Sequence, residues 1–141
     1  DVRVNCGNIV LALTRTIIAA GLKVAMVPEN YDGALLNQRV AAIAPNNTLQ
    51  PLYLYYYLCS ETVSKYVLSN VNTLMQPNLS ITDLKRMPIP IIPKAGQDEL
   101  VKKMDTLKID TQSLENNYEQ ELVVLDQLKK SILQKAFNGE L

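Results

Sequence analysis

Few residues of this chain could make or break a bond. Its 141 residues include no histidine, which removes the commonest general base and every Ser-His or Cys-His nucleophile pair. The two cysteines, Cys6 and Cys59, cannot build a four-ligand zinc site, so no metal is expected. Both read as buried small hydrophobes rather than a disulfide. No P-loop and no Gly-x-Gly-x-x-Gly turn is present to cradle a phosphate. The Asn/Asp-Pro-Pro-aromatic tetrapeptide of amino-methylating DNA enzymes is absent as well; "QPNL" from Gln76 resembles it only superficially. What remains is binding chemistry. Arg15 and Lys23 bracket the Ala19-Ala20-Gly21 turn, Asn37, Gln38 and Arg39 stand in a row, Gln76 and Asn78 share a loop, and Lys85 and Arg86 are adjacent. Guanidinium and amide groups can engage two partners at once, and ammonium groups neutralise anions. The chain is expected to recognise rather than to catalyse.

Composition sets the frame that must hold these residues. Hydrophobic content of 48% and charged content of 20% fit a folded chain with a real core. Net charge is zero, yet residues 1–93 carry seven Lys/Arg against five Asp/Glu, and residues 94–141 carry seven against nine. That asymmetry is mild and does not choose a partner. No apolar run approaches the ~20 residues of a membrane span, no signal peptide is recognisable, and cytoplasm is the expected location. The first residue is Asp rather than Met, which reads as a fragment or an incompletely represented product.

The first third reads as strands between turns: Asn8 to Thr14, Leu22 to Val27, and Ala34 to Pro45 entered through Asp32-Gly33. Pro51 opens a single helix through Ser69, with apolar residues at 55, 59, 63 and 66. Ser80 to Asp83 has capping-box spacing, and Leu79 and Leu84 stand where a hydrophobic staple would join them. Pro88 and Pro90 then forbid a central strand and leave an extended edge segment.

From Ala95 to Phe137 there is no proline. Asp98 and Glu99 suit the start of a helix dipole, Lys129, Lys130 and Lys135 its end, and Asn138-Gly139 supplies the stop. Leu100, Met104, Leu107, Leu114, Tyr118, Leu125, Leu128 and Ile132 follow alternating steps of four and three, interrupted by Thr111 and Glu121. That is a coiled-coil stripe on a rod of roughly 65 Å. A helix so long cannot hide its stripe against so small a domain, so it needs another helix. The fold class is α+β: short strands and helices over residues 1–93, followed by one long coiled-coil-forming helix over 94–141.

Several stretches, taken in order, resemble the specificity subunit of type I restriction-modification enzymes. They are "GNIVLALTRTIIAAGLKVAMVPE" from Gly7, "LLNQRVAAIAP" from Leu35, "YLYYYLCSE" from Tyr53, "QPNLSITDLKRMPIPIIP" from Gln76, "QDELVKKMD" from Gln97 and "ILQKAFNGEL" from Ile132. The chain departs from the family at Asn8, where Asp is common, and at Gly96, where Glu is common. A recognition domain also usually carries a sizeable stretch before the Gly7 segment, so residues 1–93 are expected to be its C-terminal part.

The resemblance implies a non-catalytic reader of double-stranded DNA that takes one half of a split target. Long helices pairing antiparallel, with a second copy or a second half of the subunit, would set the distance between halves. It implies a methylation subunit binding S-adenosylmethionine and an endonuclease subunit using ATP and Mg, with no cofactor in this chain. Arg15, Lys23, Asn37, Gln38, Arg39, Gln76, Asn78, Lys85 and Arg86 are then candidate DNA contacts through base edges or phosphates. Solvated charges and internal hydrogen bonds are the alternatives for the same residues. The tyrosines at 53, 55, 56 and 57 serve core and interface, or stack on bases. The prolines of 88–93 are expected to hold the recognition domain firmly on the rod. Two other functions stay open: a coiled-coil assembly module without DNA binding, and the recognition tail of a fused restriction-methylation enzyme.

Overall fold

A computed structural model describes residues 3–18, 21–70 and 78–140, with only the backbone described at 18. The chain divides into two units, Asp1–Val101 and Lys102–Leu141.

The first unit is built on a three-stranded antiparallel sheet in the order β4-β1-β5. Its strands are β1 (Ile9–Ala12), β4 (Val24–Met26) and β5 (Val40–Ile43). Between β1 and β4 the chain forms a small ladder of β2 (Ile17–Ile18) and β3 (Gly21–Leu22), in which Ile17 faces Leu22. Ile9 pairs with Met26 on one side and Ile43 on the other, Leu11 with Val24 and Ala41. Side chains directly opposite share a face of the sheet. Ile9 and Leu11 therefore lead one apolar face, and both are fully buried.

That face packs against α1 (Pro51–Leu58) through Leu54 and Leu58, and against α2 (Glu61–Asn70) through Val63 and Val67. The expected single helix from Pro51 is in fact two. Cys59 ends α1, and the Ser60 hydroxyl accepts the Val63 N–H at 3.4 Å, starting a new helix where the apolar pattern runs on without a break. The third expected strand is shortened as well. Asn37 Oδ1 accepts the Arg39 N–H at 2.9 Å and its carbonyl accepts the Val40 N–H at 3.0 Å, so residues 37–39 form a turn and β5 begins only at Val40.

Ser80 caps α3 (Ile81–Arg86): its hydroxyl accepts the Asp83 N–H at 3.0 Å. The Asp83 carboxylate takes the Ser80 hydroxyl at 2.5 Å rather than the Ser80 N–H, so this is a variant of the reciprocal box. Leu79 and Leu84 join the core cluster, as the staple requires. Residues 87–93 belong to no helix or strand, and Met87, which ends α3, has an extended backbone.

α4 runs from Lys94 to Phe137, 44 residues, roughly 66 Å at 1.5 Å per residue. Its first turns belong to the first unit, where Gln97 and Val101 are buried. The second unit is the rest of that helix. It ends as the sequence predicts: Gly139 has φ of 73°, the Glu140 N–H reaches the Lys135 carbonyl at 2.9 Å, and the Gly139 N–H reaches Ala136 at 3.2 Å. This is the double bond of a Schellman stop. Among the described residues, no helix is long and apolar enough to cross a membrane.

Candidate nucleic-acid interface

Four of the candidate contacts converge on the chain leaving β1. Leu13 donates its N–H to the Arg39 carbonyl at 2.8 Å and accepts from the Leu79 N–H at 2.9 Å. Ala12 donates to the Lys23 carbonyl at 3.0 Å, and Lys23 to the Thr16 carbonyl at 2.9 Å. Thr14 bridges to Asn78, whose Oδ1 accepts the Arg15 N–H at 3.4 Å. Residues from separate parts of the sequence thus meet in one knot of hydrogen bonds that joins the backbones of Arg15, Lys23, Arg39 and Asn78 to the chain leaving β1. Arg15 and Arg39 are exposed, and Lys23 is half-buried.

Arg15 has φ of 48°. A non-glycine residue pays about 1–2 kcal/mol for a left-handed backbone, and such conformations persist only where the surroundings hold them. Here the bridge to Asn78 does so. Beneath it Thr16 is fully buried, and its hydroxyl has no partner among the described residues. Sequence reasoning missed Thr16, since one threonine in a turn carries no distinguishing pattern.

The other candidates lie apart. Asn37, Gln38 and Lys85 line a groove of about 750 Å³ together with Val40, Ala42 and Ile43 of β5 and Ile81, Leu84, Met87 and Ile89. Lys85 and Arg86 form the last turn of α3, and Arg86 is exposed. The groove and the knot share the 37–39 turn, because Gln38 lines one and Arg39 joins the other. Gln76 lies outside the described residues.

Three tyrosines have structural duties. Tyr53 is buried and donates its hydroxyl to the Pro90 carbonyl at 2.8 Å; Tyr57 donates to Pro88 at 2.7 Å. Tyr66 donates to the Asp83 carbonyl at 3.0 Å. The match is geometric. Two residues of extended chain advance about 6.2–6.6 Å, and four residues of helix advance about 6 Å. Tyr53 and Tyr57, one turn apart on α1, therefore meet carbonyls two residues apart on the proline segment. That double spacing was visible in the sequence. Tyr55 and Tyr56 hold their rings 5.6 Å apart at 59°.

The cysteines correct an expectation: both are exposed and unpaired. Burial still pushes the Cys59 thiol up, and the hydrogen bond from Tyr55 opposes this. Tyr55 is pushed up by burial first, then by the Cys59 charge and their hydrogen bond.

The expected helix-pairing residues Leu100, Leu107, Leu114, Tyr118, Leu125, Leu128 and Ile132 are all exposed along α4, and Met104 is half-buried. Leu122, Val123, Val124, Leu133 and Phe137 are exposed too, so the apolar surface is broader than the stripe read from the sequence. Soluble proteins seldom leave such a surface uncovered.

Residues 2–123 match the family of the type I restriction modification DNA specificity domain. The chain is 28% identical over 127 residues to the type I restriction enzyme EcoBI specificity subunit of Escherichia coli, covering 89% of this chain and 27% of that protein. It is 30% identical over 105 residues to the EcoAI specificity subunit of the same organism, covering 71% and 17%. The chain thus spans little more than a quarter, at most, of these curated relatives. Two solved structures share the fold. One, from work on complex assembly and conformational transition of the type I R-M system, matches with a TM-score of 0.77 at 19% identity, over 100% of this chain and 33% of that one. The HsdS subunit from Thermoanaerobacter tengcongensis matches with a TM-score of 0.69 at 21% identity, over 81% and 29%. Both likenesses support the α+β architecture with its long terminal helix.

Proposed function

The chain belongs to the type I restriction modification DNA specificity domain family, and from that membership we propose that it reads one half of a bipartite DNA target. The observation that carries this reading is the knot at the end of β1, where Arg15, Lys23, Arg39 and Asn78 converge from separate parts of the sequence. Arginine can bridge two acceptors on a guanine edge or neutralise a phosphate, and an asparagine amide can pair with adenine. Asn37, Gln38, Lys85 and Arg86 extend the contact from the adjoining groove and α3. Reaction chemistry then belongs to partners in the cytoplasm: a methylation subunit with S-adenosylmethionine and an ATP- and Mg-dependent endonuclease subunit.

In this reading the broad apolar surface of α4 pairs antiparallel with the same helix of a second specificity half. Paired copies related by a two-fold axis read an inverted repeat with a fixed spacer, as dimer symmetry is mirrored in operators. The methylation subunits assemble on this scaffold.

Co-expression with the methylation subunit of its own operon, followed by single-molecule sequencing of the host genome, tests the proposal. A split, methylated adenine motif with one spacer length is expected. A stable complex that leaves no such motif overturns it. The same α4 surface also favours an assembly module without DNA contacts; that reading predicts a dimer with no salt-dependent DNA binding.

A further inference from the structure

Gln97 is fully buried, in the first turn of α4. A glutamine amide has an oxygen to be satisfied and two N–H groups to be placed. Here each has a partner. Oε1 accepts the Gln50 N–H at 2.8 Å, while Nε2 donates to the Thr48 carbonyl at 3.0 Å and to the Ile92 carbonyl at 2.8 Å. Gln50 in turn caps α1, accepting the Tyr53 N–H at 2.6 Å. Tyr53 donates its hydroxyl to the Pro90 carbonyl at 2.8 Å, two residues from Ile92. The bonds close into a ring that joins the 48–50 turn, the start of α1, the proline segment and the first turn of α4.

Resting on the function proposed above, we infer that Gln97 is a positioning residue: it locks the start of α4 into the recognition unit and thereby fixes the spacer length of the target. One base pair changes a half-site separation by about 3.4 Å and its rotation by about 35°. Apolar burial is itself non-directional and constrains orientation only through the fit of side chains. Hydrogen bonds weaken steeply when misaligned, so a buried ring of them selects one geometry. A tenfold preference for one spacer over its neighbours needs only about 1.4 kcal/mol. The proline segment is tied down as an acceptor as well: Pro88 and Pro90 supply carbonyls to Tyr57 and Tyr53.

The test uses the full chain co-expressed with its methylation subunit, read by single-molecule sequencing. Gln97→Leu keeps the bulk of the side chain and removes all three of its bonds. It is expected to spread methylation onto targets one base pair longer and shorter, to at least a tenth of modified sites, with the half-site bases unchanged. Tyr53→Phe opens the ring elsewhere without a cavity and should give a smaller spread. Leu54→Val, a packing change outside the ring, should lower total methylation at an unchanged spacer. If Gln97→Leu fails to assemble, Tyr53→Phe decides alone. Fewer methylated sites at one strict spacer in the ring variants would make Gln97 merely structural and overturn the inference. Loss of the bipartite motif already in the unaltered chain would instead overturn the function proposed above.

Discussion

Ile9 and Leu125 are both large aliphatic residues in regular structure, yet the first is wholly buried and the second is 60% exposed. The difference separates two ways of being folded. In the first unit, core residues come from every part of the sequence, from Ile9 to Met87. Beyond Val101 the contacts seen are local: the helical ladder, an ion pair of Lys130 with Asp126 at 2.6 Å, and the Thr106 and Thr111 hydroxyls bonded to carbonyls four residues back. Most helical stability in proteins comes from packing an apolar face rather than from propensity. The first unit covers its own apolar residues, and the second leaves its apolar residues exposed.

The sharpest way to break that contrast is to truncate both leucines. Leu54→Ala should cost the first unit about 2–5 kcal/mol, seen as a large fall in its thermal midpoint. Leu125→Ala should leave that transition in place and shift the chain toward monomer in analytical ultracentrifugation. If both variants lower the same midpoint, the contrast is wrong. A smaller effect sharpens it. Ser80→Ala removes the cap of α3 and should cost about 1 kcal/mol in urea unfolding, whereas Thr106→Ala on α4 should fall within a few tenths or slightly stabilise, because back-bonded threonines strain helices.

The smallest effect concerns protons. Cys59 and Tyr55 both hold their protons more tightly folded than unfolded. Their contribution is complete below the unfolded pKa values and declines as pH rises through the folded ones. The midpoint of the first unit should therefore drift down in the alkaline range above the ordinary thiol value of 9.0. At pH near 8, iodoacetamide should modify Cys59 more slowly in the folded chain than in urea. Equal rates would remove the shift.

What could be read from sequence was what neighbours in sequence decide. The long helix, its Asn138-Gly139 stop and the Ser80 cap depend on residues within one turn of each other, and all three stand. The α1–α2 break was hidden because apolar spacing continues through Cys59 while a single hydroxyl, that of Ser60, starts the next helix. The Arg15–Asn78 contact joins residues 63 apart, and no local pattern announces such a pairing. Cysteine identity suggested burial, but position decides exposure, and both thiol residues lie outside. Gln97 was hidden for a related reason: a glutamine in a first turn among charged residues looks solvated until the carbonyls that take its amide are in place.

The tyrosine hydroxyls bonded to Pro88 and Pro90 also give the molecule a built-in optical label. The chain has no tryptophan, and six of its seven tyrosines fall at or before position 66. Near-ultraviolet absorbance, circular dichroism and emission therefore come mainly from the first unit, where three phenols donate to backbone oxygens. Far-ultraviolet ellipticity is dominated instead by the 44-residue helix. A single unlabelled sample can thus report in one spectral window on the seam between α1 and the proline segment, and in another on the helix.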